Sequence, residues 1–159
     1  MKTTYLFPNR LKMLSGVLFV ISFVVLTALF VFDAYDQFKI KTTVFALFDD
    51  AVIGDPVYFG FTKNNISDEL LMAIVLCSGI VFAFAKEKPE DEMVATIRLH
   101  SLAWATIANY GILLFCYIFI YGLTFLTVLM VAMFSQLLIF IVLFRYKMYR
   151  FYNSQQYEE

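Results

Sequence analysis

The sequence predicts an all-α membrane protein with four transmembrane helices, N and C termini cytoplasmic, and one short β-hairpin. Four long runs contain no Asp, Glu, Lys or Arg: Leu14–Phe32, Leu70–Ala85, Leu102–Tyr121 and Leu123–Phe144. A helix needs roughly 20 apolar residues to cross the hydrocarbon core of a bilayer. The chain is 62% hydrophobic with a mean hydropathy of +0.78, whereas soluble domains are about 45–50% apolar. The excess lies in the four runs, so an ordinary buried core does not explain it.

These runs divide residues 1–159 into the parts of a single membrane domain. The predicted spans cover about 13–33, 69–86, 100–121 and 123–145. Between and beyond them lie an outer loop at 34–68, a cytoplasmic helix extension at 89–99 and a tail at 146–159. Four spans occupy about half of the chain, and the remainder is too short for a separate soluble domain of ordinary size.

The distribution of cations predicts how the spans are oriented. If the N-terminus is cytoplasmic, nine cations fall on the inner side: Lys2, Arg10, Lys12, Lys86, Lys88, Arg98, Arg145, Lys147 and Arg150. The outer side then holds three, Lys39, Lys41 and Lys63. Because cytoplasmic loops of membrane proteins are enriched in Lys and Arg, this distribution predicts that both termini are cytoplasmic.

The first run is predicted to be a retained span rather than a cleaved signal peptide. A signal peptide has a shorter apolar core that ends in small residues. This run is about as long as a full span and ends in the bulky residues Phe30-Val31-Phe32. We therefore expect it to stay in the membrane.

The outer connection at 33–69 predicts the short β-hairpin. Thr42–Phe48 and Val57–Phe61 are rich in β-branched and aromatic residues, and the turn-forming residues Gly54-Asp55-Pro56 lie between them. This pattern is typical of two strands joined by a turn. Aromatic side chains suit the membrane interface, so the hairpin is interpreted either as an interfacial cap over the helices or as a lid that faces a ligand or partner.

The third helix is predicted to begin in the cytoplasm. Pro89 suits the first position of a helix, and the acids that follow it would lie at the positive end of the helix dipole. An unbroken helix from Pro89 to Tyr121 would be roughly 50 Å long, against a hydrocarbon core of about 30 Å. A tight turn at Gly122 leads into the fourth span, and the polar residues from Asn153 onward are expected to fray.

Two amides are the strongest polar groups inside the predicted spans. Asn109 and Gln136 lie at nearly equal distances along the chain from the turn at Gly122, so antiparallel helices would place them at similar depth. An amide in hydrocarbon needs a hydrogen-bond partner. We expect the two amides to bond to each other. The alternatives are a polar cavity that includes Tyr110 and Ser135, or bonds within each helix.

A polar stretch at the start of the third helix is the most distinctive feature of the predicted cytoplasmic side. Glu90, Asp91, Glu92 and Arg98 form either a solvated helix start or a docking patch for a cytoplasmic protein. His100, the one histidine, follows near the inner interface. It is interpreted as an interfacial polar residue, with a proton sensor as the alternative because imidazole titrates near neutral pH.

The sequence offers no recognisable set of catalytic, metal-binding or cofactor-binding residues. It contains no phosphate loop or paired nucleophile and base, and Cys77 and Cys116 lie inside predicted spans without ligand spacing. The net charge of −1 points to no direct nucleic-acid partner. The chain is therefore predicted to be non-enzymatic, with the lipid bilayer as its first partner.

One stretch of the sequence resembles a known group of proteins. It comprises Lys86-Glu87-Lys88-Pro89-Glu90-Asp91-Glu92-Met93, Ile97-Arg98-Leu99-His100-Ser101-Leu102-Ala103-Trp104-Ala105, Asn109-Tyr110 and Tyr121-Gly122. These residues resemble small four-span bacterial inner-membrane proteins of uncharacterised activity, often encoded beside helix-turn-helix regulators. The resemblance covers mainly residues 86–122. It implies a bacterial inner (plasma) membrane location and a cytoplasmic regulatory protein as partner, and it implies no catalytic residue.

Two functional classes follow from these observations. The first is a non-enzymatic membrane protein that regulates or senses by docking a cytoplasmic protein. The second is an oligomeric channel or small-solute transporter, in which amides and tyrosines line a path between copies. No ionisable residue lies in the middle of a span, where coupled transporters usually need one, so the first class is preferred. Small residues in the second span permit a homo-oligomer.

Overall fold

The computed structural model describes residues 6–32, 40–49, 57–88 and 90–156. Within these ranges the chain forms four helices and a two-stranded antiparallel sheet. In chain order the elements are α1 (Asn9–Val31), β1 (Lys41–Asp49), β2 (Val57–Asn65), α2 (Ser67–Ala83), α3 (Glu92–Phe119) and α4 (Thr124–Gln156). The predicted helical architecture with one β-hairpin is confirmed.

Three of the helices are long and apolar enough to cross a membrane, namely α1, α3 and α4. The chain therefore has the architecture of an integral membrane protein. Helix α2 has only 17 residues, which corresponds to about 26 Å. It ends earlier than the predicted span 69–86 because Ala85 leaves the helix to form a β-bridge with Phe7. A membrane crossing by α2 and the cytoplasmic placement of both termini stay predictions.

The chain divides into two compact units. One contains the residues up to Gly16 together with Gly79 and all that follows, and the other is Val17–Ser78. The second unit contains the hairpin, in which Phe45 lies opposite Phe61 and Phe48 opposite Tyr58. The ring centroids of these two cross-strand pairs are 5.4 and 5.2 Å apart, a separation at which aromatic rings stabilise each other.

The base of the hairpin is fixed to the start of α2. The backbone N–H of Ile40 donates to Asn65 Oδ1 at 3.0 Å and to Ser67 Oγ at 2.9 Å. The two predicted strands are confirmed, and β2 continues beyond the predicted Phe61 to Asn65, which pairs with Lys41. The predicted turn at 54–56 lies outside the described residues.

In the first unit, α3 and α4 form an antiparallel pair joined at Gly122, whose positive φ of 74° suits glycine. A stripe of α3 side chains at helical spacing is buried: Val94, Arg98, Ser101, Ala105 and Asn109. Three buried residues of α4, Phe140, Phe144 and Met148, belong to the same core as Val94 and Ala105. The core therefore lies toward the end of the helix pair that is remote from Gly122.

One predicted helix boundary is wrong. Helix α3 begins at Glu92, not at Pro89, because Asp91 adopts an extended backbone and its carboxylate accepts the N–H of Val94 at 2.8 Å. Pro89 itself lies outside the described residues. The predicted span end near 145 and the tail from 146 stay predictions, and helix α4 itself continues to Gln156. Its stripe of Phe140, Phe144 and Met148 continues the core at this end, whereas 157–159 lie outside the described residues.

Candidate functional site

Polar contacts concentrate where the N-terminal leader meets the connection between α2 and α3. The N–H of Phe7 donates to the carbonyl of Phe84 at 3.0 Å, and the N–H of Lys86 donates to the carbonyl of Phe7 at 2.9 Å. The side-chain amide of Asn9 donates to the carbonyl of Lys86. These bonds align the leader with residues 84–86 as a short parallel bridge. They bring the charged side chains on either side of the bridge together.

Glu87 is the centre of the first charged group. Its side chain is 9% exposed, and its carboxylate binds Lys12 of α1 and Arg145 of α4, the latter at 3.2 Å. The Arg145 guanidinium also lies 4.7 Å from the ring centroid of Phe82, within the range of a cation–π interaction. One carboxylate therefore joins the start of α1 to the far end of α4.

Arg98 and Glu90 form the second charged group. The guanidinium donates to both carboxylate oxygens of Glu90, at 2.7 and 3.2 Å, and to the carbonyl of Ala85 at 3.4 Å. Its carbon Cζ lies 5.1 Å from the ring centroid of Phe144. Arg98 is only 3% exposed, and the Glu90 carboxylate also accepts the N–H of Glu87 at 2.9 Å. A paired and hydrogen-bonded guanidinium is the form in which a buried charge is tolerated.

Together, these five side chains form what we call the charged cluster: Lys12, Glu87, Glu90, Arg98 and Arg145. It contains three cations and two carboxylates, and it connects α1, the α2–α3 connection, α3 and α4. Both carboxylates are engaged by cations, so neither is arranged as a general base beside a nucleophile. Across the described ranges, no group of three His, Cys, Asp or Glu is placed to hold a metal ion. The geometry of the cluster is that of a fixed scaffold.

The predicted docking patch is divided by this arrangement. Arg98 is buried and Glu90 is bound to it, so these two residues are not part of an exposed surface. Asp91 and Glu92 are exposed at the start of α3. His100 is also exposed. The charged surface that a partner could reach on this stretch is therefore smaller than the sequence indicated.

The predicted hydrogen bond between Asn109 and Gln136 is wrong. The Ser135 hydroxyl donates to Asn109 Oδ1, and Gln136 Nε2 donates to Thr106 Oγ1 at 3.3 Å. Both amides thus bond across the helix pair, as the need for a partner in hydrocarbon predicts, but with hydroxyl groups. The fourth residue of that predicted cavity, Tyr110, is 61% exposed. It lies on another side of α3 from the buried Asn109.

Lys12, Glu87, Arg145 and Thr106 are the interacting residues that sequence reasoning missed. A signal for the first three was present, because all three border predicted spans on the same predicted side of the membrane. An acid between two lysines in a short connection, with cations at two neighbouring helix ends, favours pairing at that interface. Thr106 gave no comparable signal, since a threonine in a helix can bond to its own backbone. Its hydroxyl does donate to the carbonyl of Leu102 at 3.0 Å.

Comparison of the chain with family models, curated proteins and solved structures found no match.

Proposed function

We propose that this chain is a non-enzymatic integral membrane protein whose charged cluster holds a docking surface for a cytoplasmic regulatory protein. The observation that carries the proposal is the way the charged cluster joins four segments of the chain at one end of the α3–α4 pair. A surface fixed before binding loses little conformational freedom when a partner arrives. The resemblance of residues 86–122 to proteins encoded beside regulators supports the same partner class.

The docking surface in this proposal is the exposed start of α3, centred on Asp91 and Glu92. Two acids at a helix start favour a partner with a basic surface, because complementary charge steers association. The side chain of Asp91 also caps the helix, so its geometry is set by the fold. The proposal includes the cytoplasmic location of this end and the bacterial inner membrane as the site of action.

The test is site-specific photo-crosslinking in living cells. A photoreactive residue at Glu92 is expected to capture one soluble protein, which is then identified and purified. In vitro, Asp91→Asn with Glu92→Gln should weaken binding of that purified protein at least tenfold, because both charges are lost while Asn keeps the helix cap. A photoreactive residue at Ile107 of α3, which is 61% exposed, is the control and should capture no soluble protein.

Two results would contradict the proposal. One is an absence of soluble adducts at Glu92 when the protein is present in the membrane at normal levels. The other is unchanged binding by the doubly neutralised variant. Cysteine labelling checks the orientation separately: with Cys77 and Cys116 replaced by Ala, a cysteine at the exposed Lys88 should react only after the membrane is opened.

The alternative class, an oligomeric channel or small-solute transporter, receives less support from the geometry. The amides that would line a polar path are bonded to Ser135 and Thr106 across the α3–α4 pair. Groups paired in this way stabilise the pair and are not arranged around a cavity. Flux of small solutes into liposomes, altered by Asn109→Leu, would favour the transporter over the docking protein.

A further inference from the structure

Two cations of the charged cluster share a single carboxylate. Lys12 binds one oxygen of Glu87 and Arg145 binds the other, the latter at 3.2 Å. One carboxylate balances only one of the two positive charges. The side chains of Lys12 and Arg145 are 22% and 37% exposed, whereas that of Glu87 is 9% exposed. A ligand that approaches this group therefore meets the cations before the carboxylate.

The cations of the cluster also have more hydrogen-bond donors than the cluster has acceptors. An ammonium group has three N–H donors and a guanidinium has five. Among the described residues, the side chains of Lys12 and Arg145 are each shown with one bond, in both cases to Glu87. In the same cluster, Arg98 Nε is buried and has no acceptor in the described part of the chain. Surplus donors and surplus positive charge suit an anion that has several oxygens.

The surrounding residues add to the positive charge. Lys12, Glu87 and Arg145 belong to one compact unit, formed by the residues up to Gly16 and from Gly79 onward. The described part of this unit contains eight Lys or Arg residues and four Asp or Glu residues, and none of them lies between residues 99 and 144. The charges are therefore concentrated at the end of the α3–α4 pair where the charged cluster lies. An excess of cations in one place attracts anions to it.

The two cations are held in position by contacts within the same unit. The Arg145 guanidinium lies 4.7 Å from the ring centroid of Phe82. That ring packs closely on α1, since a Cβ atom added to Gly16 would lie 2.7 Å from it. Lys12 lies about one helical turn before Gly16 on α1. Side chains fixed in this way lose little conformational freedom when a ligand binds.

We propose that Lys12 and Arg145 form a binding site for the headgroup phosphate of an anionic phospholipid. Lys12 lies two residues before the uncharged run that starts at Leu14, and Arg145 directly follows the run that ends at Phe144. Cations at the ends of membrane helices lie at the depth of the lipid headgroups. A phosphate accepts several hydrogen bonds at once, so one phosphate can bond to both side chains while Glu87 keeps them together. This site is separate from the proposed docking surface at the start of α3.

Native mass spectrometry of the purified full chain in detergent tests the site. Phosphatidylglycerol and phosphatidylcholine with the same acyl chains are titrated, and the apparent dissociation constant of the first bound lipid is measured. We expect phosphatidylglycerol to bind at least about tenfold more tightly. Lys12→Gln with Arg145→Gln should weaken its binding at least about tenfold, because two charge-assisted hydrogen bonds are lost. Lys147→Gln with Arg150→Gln removes the same charge from the same end of α4 and should weaken it less than about threefold.

Glu87→Gln distinguishes a lipid site from an ion pair with a structural role only. Glutamine keeps a hydrogen-bond acceptor but does not compete as an anion for the two cations, so phosphatidylglycerol binding should tighten about three- to tenfold. If the cations only fix the helix ends, this variant would weaken lipid binding or leave it unchanged. Circular dichroism checks that each variant keeps the helix content of the original chain.

Three results would overturn the proposal. The first is an equal loss of phosphatidylglycerol binding in the two double variants, which would indicate attraction to general surface charge. The second is weaker or unchanged binding by Glu87→Gln. The third is displacement of phosphatidylglycerol by an excess of inorganic phosphate, which would indicate a site for a small free anion instead of a lipid headgroup.

Discussion

The pair formed by Arg98 and Glu90 allows a prediction in which the two partners are not equivalent. Glu90→Gln leaves the guanidinium of Arg98, which is 3% exposed, without its counter-charge. Arg98→Met leaves the carboxylate of Glu90, whose side chain is 16% exposed and which still accepts the N–H of Glu87 at 2.9 Å. We therefore expect Glu90→Gln to destabilise the protein more than Arg98→Met.

The magnitudes follow from the burial of each group that loses its partner. Removing one partner of a buried ion pair costs about 3–5 kcal/mol. Glutamine still accepts one hydrogen bond, and the Glu90 side chain lies at a partly exposed position, so we expect about 2.5 kcal/mol for Glu90→Gln. For Arg98→Met we expect about 1 kcal/mol, because water reaches the remaining carboxylate and the methionine thioether can pack on the Phe144 ring in place of the guanidinium.

The assay is reversible unfolding in mixed micelles by increasing the fraction of sodium dodecyl sulfate. Trp104, the one tryptophan of the chain, provides the fluorescence signal from α3. The double variant Glu90→Gln/Arg98→Met should lose only about 1–1.5 kcal/mol, well below the sum of the single effects, because no uncompensated charge remains. Glu92→Gln, at an exposed acid two residues from Glu90, is the control and should change stability by less than about 0.5 kcal/mol.

Two results would refute this reasoning. If Arg98→Met is as destabilising as Glu90→Gln, the difference in burial does not control the cost. If the single effects add to the double effect within about 0.5 kcal/mol, the two side chains are not coupled. Either result would remove the charged cluster as the scaffold of the proposed docking surface.

Three further predictions use the same unfolding assay. Gly16→Ala should destabilise the protein by about 1–2 kcal/mol, because its Cβ would lie 2.7 Å from the ring of Phe82. Gly111→Ala, whose Cβ would have no atom within 4 Å, should stabilise the protein by up to about 1 kcal/mol. Equal changes in stability for the two variants would contradict this difference in packing. The losses of stability caused by Asn109→Leu and Gln136→Leu should add in the double variant within about 0.5 kcal/mol, because the two amides have different hydroxyl partners. A loss in the double variant well below the sum of the single losses would indicate that the two amides interact directly. Asp91→Ala should lower the stability by about 1 kcal/mol, whereas Asp91→Asn should leave it almost unchanged. Equal losses of stability would contradict a capping role for Asp91.

Features set by the solvent and by local turn chemistry could be predicted from the sequence. An uncharged run of about twenty residues has few alternatives to a helix in a membrane, and α1, α3 and α4 each contain one. Two β-branched, aromatic segments around a turn sequence predicted β1 and β2 for the same local reason. Such patterns need no knowledge of which segment packs on which.

The start of α3 could not be predicted because two local signals compete there. Pro89 suits a first helical position, and Asp91 suits a cap. Three-dimensional contacts decide between them. Glu90 binds Arg98 and the backbone of Glu87, which places it in the connection before the helix. No short-range pattern encodes that choice.

The partners of the intramembrane amides depend on direction around a helix as well as on depth. Ser135 and Gln136 are neighbours and differ in depth by only about 1.5 Å, but they point about 100° apart. Counting residues from the turn at Gly122 predicts the depth of Asn109 but does not predict the direction in which Ser135 and Gln136 point around their helix. The structure turns Ser135 toward Asn109 and brings Gln136 to Thr106, one helical turn away. A prediction by depth alone could not separate those two pairings.

The charged cluster also bears on the predicted orientation of the chain. Among the described residues, three of the predicted inner cations are shown paired with carboxylates, namely Lys12, Arg98 and Arg145. If such pairing cancelled their effect on insertion, the six remaining inner cations would still outnumber the three outer cations. Acidic residues contribute little to orientation, because the bias depends on Lys and Arg near the span ends and not on net charge. The same three cations can therefore favour one side during insertion and then fix the helix ends to Glu87 and Glu90 in the folded protein.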